Sequence, residues 1–136
     1  MWKGGKMTVM RSLFVGLIAL IVVGAVPASA AEWKDFTADE FAAAQAAGKP
    51  ILIDVFAAWC PVCRAQNPIL VKLTKEPKYK DLVAFKIDYD MQKADLIPLK
   101  VQRQSTLIVF KGDKELDRSV GDTSELSIEG MLDKTL

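Results

Sequence analysis

Residues 50–68 read PILIDVFAAWCPVCRAQNP, and the first half of this stretch restricts the fold more than any other part of the chain. Ile51 to Ala57 is an apolar run of seven residues broken only by Asp54. Its length and composition suit a strand buried on both faces, and such strands belong to sheets covered by helices. Pro61 follows at once. Proline suits the first turn of a helix, because it has no N–H to lose there and its φ is already close to helical. A buried strand leading directly into a helix is the βα unit of an α/β protein.

The rest of the chain repeats the alternation. Thr37-Ala-Asp-Glu40 is a capping box, and the Ala-rich stretch after it predicts a first helix to Ala47, closed by Gly48-Lys-Pro50. The helix from Pro61 is expected to reach about Lys75, with a kink at Pro68 and Leu70 and Leu73 on its apolar face. LVAFKID (Leu82–Asp88) and TLIVF (Thr106–Phe110) read as strands, with a helical stretch from Met91 to Leu99 between them. A Gly112-Asp113 turn returns the chain as an antiparallel strand over Leu116–Val120. Asp122-Thr-Ser-Glu125 then caps a last helix, with Leu126, Met131 and Leu132 expected to face inward. The fold class expected is α/β: three layers, a central mixed β-sheet with helices on both faces. No repeat, low-complexity tract or long linker divides it.

The first thirty residues are of another kind. Lys3, Lys6 and Arg11 precede an apolar run of 14 residues, Leu13–Val26, and Ala28 and Ala30 then stand in an A-x-A pattern. This is the layout of a secretory signal peptide, expected over residues 1–30 and cleaved after Ala30, with Met7 and Met10 as alternative starts. The run is short for a membrane span, which takes roughly 20 apolar residues, although an uncleaved anchor is the other reading. The expected destination is a bacterial periplasm, where disulfides form and persist. Residues 31–136 then form one domain. Every Asp and Glu lies at or after Glu32, and the formal net charge of the whole chain is only +1. No strong field marks a nucleic-acid partner.

Cys60 and Cys63 are the only cysteines, and there is no histidine. At the end of the strand and the start of the helix, Cys60 meets unpaired backbone N–H groups and the positive end of the helix dipole, which stabilise a thiolate. The thiolate is the form that attacks a disulfide. Cys63, three residues on, is placed to resolve the mixed disulfide. A structural staple is the weaker reading, because so short a loop constrains little of the unfolded chain. A structural zinc site wants four Cys or His ligands, so a metal site would need two chains or a soft ion such as Cu(I). The missing histidine also removes Ser/His and Cys/His hydrolase arrangements. Asp54 is a carboxyl inside a buried strand, where an unpaired charge is costly and the group tends to stay neutral. It is a candidate proton acceptor for Cys63. Lys86, in the neighbouring strand, is a candidate partner that tunes it, or simply an outward-facing lysine.

These residues together resemble the thioredoxin family over nearly all of residues 31–136. ILIDVFAAWCPVC is similar to the family's strand and active-site block, with the buried acid at Asp54, the tryptophan at Trp59 and the paired cysteines. Pro68 matches the proline within the active-site helix, FKID carries the matching lysine at Lys86, and STLIVFKGDKE and Gly121 match the segments that follow. The resemblance implies a thiol–disulfide oxidoreductase that acts on protein substrates. It implies a substrate groove lined by Trp59, Pro61, Val62, Gln104, Ser105 and Thr106. One position departs: Ser105 stands where the family has a cis-proline. A cis bond before a non-proline residue costs roughly 2.5–4 kcal/mol, so Ser105 is either trans in an altered loop or cis and strained. Its hydroxyl is a candidate hydrogen-bond donor near the sulfurs, and Ser105→Pro is expected to restore family-like behaviour.

The function expected is therefore an exported oxidoreductase, reducing or exchanging disulfides through Cys60 and Cys63, with the redox-active disulfide as its working group. No organic cofactor and no resident metal is implied. A membrane electron donor or acceptor and a monomeric state are expected. Pro61-Val62 brings no charge or side-chain donor to the Cys60 thiolate, which leans towards a reductase or mid-range exchanger. The rival readings are a metal-delivery module and a redox-inert binding domain on the same fold.

Overall fold

The computed structural model describes residues 29–136, together with Met1 and Gly4. The leader expected over residues 1–30 therefore lies almost wholly outside the described residues. The elements follow in the order β1 (Glu32–Asp35), α1 (Ala38–Ala46), β2 (Pro50–Phe56), α2 (Pro61–Leu73), a 3-10 turn at Pro77–Tyr79, β3 (Val83–Asp88), α3 (Lys93–Leu96), β4 (Thr106–Lys111), β5 (Lys114–Val120) and α4 (Glu125–Asp133). The five strands form one sheet in the order β1-β3-β2-β4-β5. β1, β3 and β2 are parallel, whereas β4 pairs antiparallel with β2 and β5 with β4. The sheet is mixed, as the sequence predicts, with β2 at its centre.

Strand alternation divides the core in two. Ile51, Ile53 and Val55 point to the face shared by Phe36, Ala44, Phe85, Leu96 and Ile108. Leu52 points to the other face, with Leu70, Leu73, Leu107, Ile128 and Leu132. Helices therefore cover both faces, and each wholly buried aliphatic side chain contributes about 1.5–3 kcal/mol. Asp54 and Lys86, two residues beyond Leu52 and Ala84, fall on the α2 and α4 face. The three-layer architecture thus sets the acid under the helix that begins with the cysteines.

Local signals explain the helix ends. Thr37 Oγ1 accepts from Glu40 N–H at 3.2 Å and starts α1. Gly48, at φ +65°, turns the chain out of it. α2 runs through Pro68 to Leu73, and the proline nitrogen has no proton to donate to the carbonyl four residues back. Two expectations need correction. The third helix is Lys93–Leu96 rather than Met91–Leu99, for Pro98 cannot carry the helical bonding onward. Leu126 is 81% exposed; the inward stripe of α4 is Ile128, Met131 and Leu132, at spacings of three and four.

Candidate active site

Cys60 is the N-cap of α2, with extended backbone at φ −80° and ψ 113°. The site follows from that position. The Cys63 N–H donates to Cys60 Sγ at 3.1 Å, the bond a capping side chain makes to the third residue of a helix. Cys60 and Cys63 form a disulfide, with their Cα atoms 5.3 Å apart. Both are buried, Cys60 at 1% exposure and Cys63 at 7%. Ala57 packs with them, and Phe56 and Tyr89 lie against this small cluster.

Asp54 is 4% exposed. Burial pushes its carboxyl up to about 6, against the opposing pull of the Lys86 ammonium. Lys86 stands opposite Asp54 in the β2–β3 register. Its Nζ lies 4.5 Å from the centre of the Phe56 ring, a cation–π contact, so it acts on Asp54 through space. Asp54, Lys86, Phe56, Cys63, Arg64 and Asn67 border one cavity of about 390 Å³. A larger cavity of about 470 Å³ lies elsewhere, between Phe36, Phe41, Phe110 and Arg118, and touches neither cysteine nor Asp54. Disulfide chemistry therefore points to the smaller one.

The residues expected to line a groove fall into two groups. Trp59 is 56% exposed, with its indole Nε1 donating to Asp90 Oδ2 at 2.7 Å, and Pro61 and Val62 beside it are also exposed. Gln104 is half-buried, whereas Ser105 and Thr106 are buried. Ser105 Oγ donates to Gln104 O at 2.6 Å and Thr106 Oγ1 to Arg103 O at 2.6 Å, so both hydroxyls serve their own loop. The peptide bond before Ser105 is trans, and Ser105 sits at φ +57°. Its N–H donates to Val55 O at 2.8 Å and its carbonyl accepts from Gly121 N–H at 2.9 Å. A proline ring needs φ near −65° and has no N–H. Ser105→Pro is therefore expected to destabilise the fold by about 3 kcal/mol or more, measured by urea unfolding, rather than to restore a family-like loop. Ser105→Gly is expected to stabilise it by about 1 kcal/mol, because glycine adopts the left-handed region freely.

Gln66, Tyr89 and Asp90 also belong to the site. Gln66 is wholly buried on α2. Its Nε2 donates to Ser105 O at 3.3 Å and Asp122 O at 2.8 Å, tying the cysteine helix to the loops before β4 and after β5. The spacing Cys63, Gln66, Leu70, Leu73 already places it on the inward face of the helix. Tyr89, whose hydroxyl donates to Gln102 O at 3.0 Å, and Asp90, the Trp59 partner, depend on how β3 ends and had no local signal. Among the described residues no group of three or more His, Cys, Asp or Glu is placed to hold a metal ion.

The sheet order, the layers and a Cys-x-x-Cys disulfide capping the helix after the central strand define a dithiol site on a thioredoxin-like fold. The family model described as Thioredoxin matches residues 32–134, and the chain belongs to the thioredoxin family. The crystal structure of Trxlp from Edwardsiella tarda EIB202 superposes with a TM-score of 0.73 at 40% identity, covering 74% of this chain and 98% of that one. A thioredoxin of Chlamydia muridarum is 35% identical over 96 residues, which is 71% of this chain and 91% of that protein. An H-type thioredoxin of Brassica campestris is 41% identical over 83 residues, 61% of this chain. That match spans 66% of the Brassica protein, just under two thirds of its length.

Proposed function

We propose that this chain is an exported thiol–disulfide oxidoreductase that reduces or exchanges disulfides in client proteins. The observation that carries the reading is the Cys60–Cys63 disulfide at the N-terminus of α2, with the Cys63 N–H directed at Cys60 Sγ. In the reduced protein that N–H and the helix dipole stabilise a Cys60 thiolate. The thiolate attacks one sulfur of a client disulfide; the client S–S bond breaks, and the other client sulfur leaves as a thiolate. Cys63 then gives its proton to the Asp54 carboxylate and attacks Cys60 Sγ. The client's second sulfur is released, and the protein disulfide closes. Two electrons pass from the protein dithiol to the client.

Export rests on the basic and apolar pattern of residues 1–30. No helix among the described residues is long and apolar enough to cross a membrane. An oxidised protein that works as a reductase needs an electron source, and for an exported chain a membrane donor is the natural one. In this scheme the protein acts as a monomer. Replacing Cys63 by Ala removes the resolving thiol, so Cys63→Ala is expected to accumulate mixed disulfides between Cys60 and clients. These appear as reductant-sensitive bands on non-reducing gels of a periplasmic extract. Absence of any such adduct, with Cys60 alkylatable, would remove the two-step mechanism.

A further inference from the structure

The two sulfurs do not face the same surroundings. Cys63 borders the cavity of about 390 Å³ beside Asp54, and Cys60 is not among the residues that bound it. Cys60 is also the more deeply buried of the two. Two cations line this cavity. Arg64 is exposed, and its guanidinium makes only a 3.4 Å bond to Ala58 O. Lys86 is half-buried and lies over the Phe56 ring. Among the described residues neither cation lies within 4.0 Å of a carboxylate. Asp54 supplies the one acidic group on the cavity wall, so the pocket carries more positive than negative charge. Its volume falls within the range of small-molecule sites, roughly 300–1,000 Å³.

We propose that this cavity admits small thiols bearing carboxylates, and that they exchange with the protein disulfide at Cys63. The inference rests on the oxidoreductase reading and adds an electron source to it. A thiolate held by Arg64 and Lys86 attacks Cys63 Sγ. The Cys60–Cys63 bond breaks, a mixed disulfide forms on Cys63, and Cys60 leaves as a thiolate. Attack at this sulfur expels the better leaving group, because the departing charge on Cys60 faces the Cys63 N–H at 3.1 Å and the start of α2. A second thiolate then attacks the small molecule's sulfur in the mixed disulfide. A symmetrical small disulfide is released, and the Cys63 thiolate takes up a proton from solvent in the cavity. Two thiols are oxidised and the protein disulfide is reduced. Client proteins and small thiols would thus use opposite members of the pair, Cys60 from the Trp59 side and Cys63 from the cavity.

The test uses full-length, reduced single-cysteine variants, Cys60→Ala and Cys63→Ala. Each reacts with glutathione disulfide, which is anionic, and with hydroxyethyl disulfide, which is uncharged. Adducts are timed by intact mass. The ratio of the two rates on one cysteine cancels that cysteine's own thiolate fraction. The ratio is expected to be about tenfold higher on Cys63 than on Cys60, the lower end of what a charged cleft does to local concentration. Arg64→Glu in the Cys60→Ala chain is expected to bring it down to the Cys60 value. An unfolding midpoint shows whether that chain is folded, and Arg64→Gln carries the same comparison if it is not. Equal ratios on the two cysteines, a preference untouched by the Arg64 change, or no reaction of Cys63 with either disulfide would overturn the proposal. Reduction of insulin by the unmutated protein is measured alongside. Failure there strikes the oxidoreductase reading and leaves the ratios readable.

Discussion

Cys60→Ala is expected to abolish reduction of protein disulfides, down to the level of buffer without protein. The loss is complete because no other group can take its place. Cys63 is the only other sulfur nucleophile, since the chain has two cysteines. Cys63 lies one helical turn inside α2, where it does not occupy the capping position that receives a backbone N–H. It borders the Asp54 cavity, whose wall includes none of the exposed Trp59, Pro61 and Val62 where a folded client would dock. Turnover of insulin by Cys60→Ala above the buffer level would show that Cys63 attacks protein substrates, and the division of labour between the sulfurs would be wrong.

Asp54→Asn is expected to raise stability at neutral and alkaline pH. Burial raises the carboxyl from 3.8 to about 6 in the folded protein. Between those values the folded state binds a proton that the unfolded state has released. Its contribution to stability is therefore intact below about pH 4 and is lost as pH rises through 6. A difference of about two pKa units corresponds to about 3 kcal/mol, developed fully above pH 7. Asp54→Asn removes the titration. Relative to the unmutated protein it is expected to gain about 3 kcal/mol on going from acid to pH 8. Urea unfolding of both proteins from pH 4 to 8 checks this, and parallel stability curves would contradict it. The same substitution is expected to slow resolution of the mixed disulfide at neutral pH, because the proton acceptor for Cys63 is gone. In the unmutated protein that step slows as pH falls through 6. A buried carboxyl with a raised pKa beside a disulfide, at a cost in stability, fits a group that serves the chemistry.

Much of this site was legible because its parts are neighbours in sequence. The apolar run of β2, its single acid, Trp59 and the two cysteines lie within thirteen residues, 51–63. One strand-to-helix junction positions all of them. The pairing of Asp54 with Lys86 was only half legible. The strand was evident, but the register that sets them opposite each other comes from tertiary packing. The Ser105 loop was not legible. Its left-handed backbone is held by Val55, Gly121 and Gln66, residues far away in the chain, and serine has no intrinsic preference for that region. Leu126 misled because an apolar residue near a cap looks like the start of an inward stripe, whereas the stripe begins at Ile128. The Cys63 cavity was invisible for the same reason as the register, since its walls come from β2, β3 and α2 together.

Cys60 and Cys63 are expected to form a reversible couple of the reducing kind. Among the described residues Cys60 Sγ accepts a single hydrogen bond, from Cys63 N–H, and Pro61 adds no donor. One N–H and the start of α2 stabilise the thiolate, but with no charge or side-chain donor added they do not favour the reduced form strongly enough to make an oxidant. Equilibrating residues 31–136 against glutathione and dithiothreitol, with thiol alkylation as the readout, measures this directly. The expected result is a two-electron couple near the thioredoxin value of about −270 mV. A potential near about −120 mV would contradict the direction of electron flow, and the lack of any reversible couple would contradict the function itself.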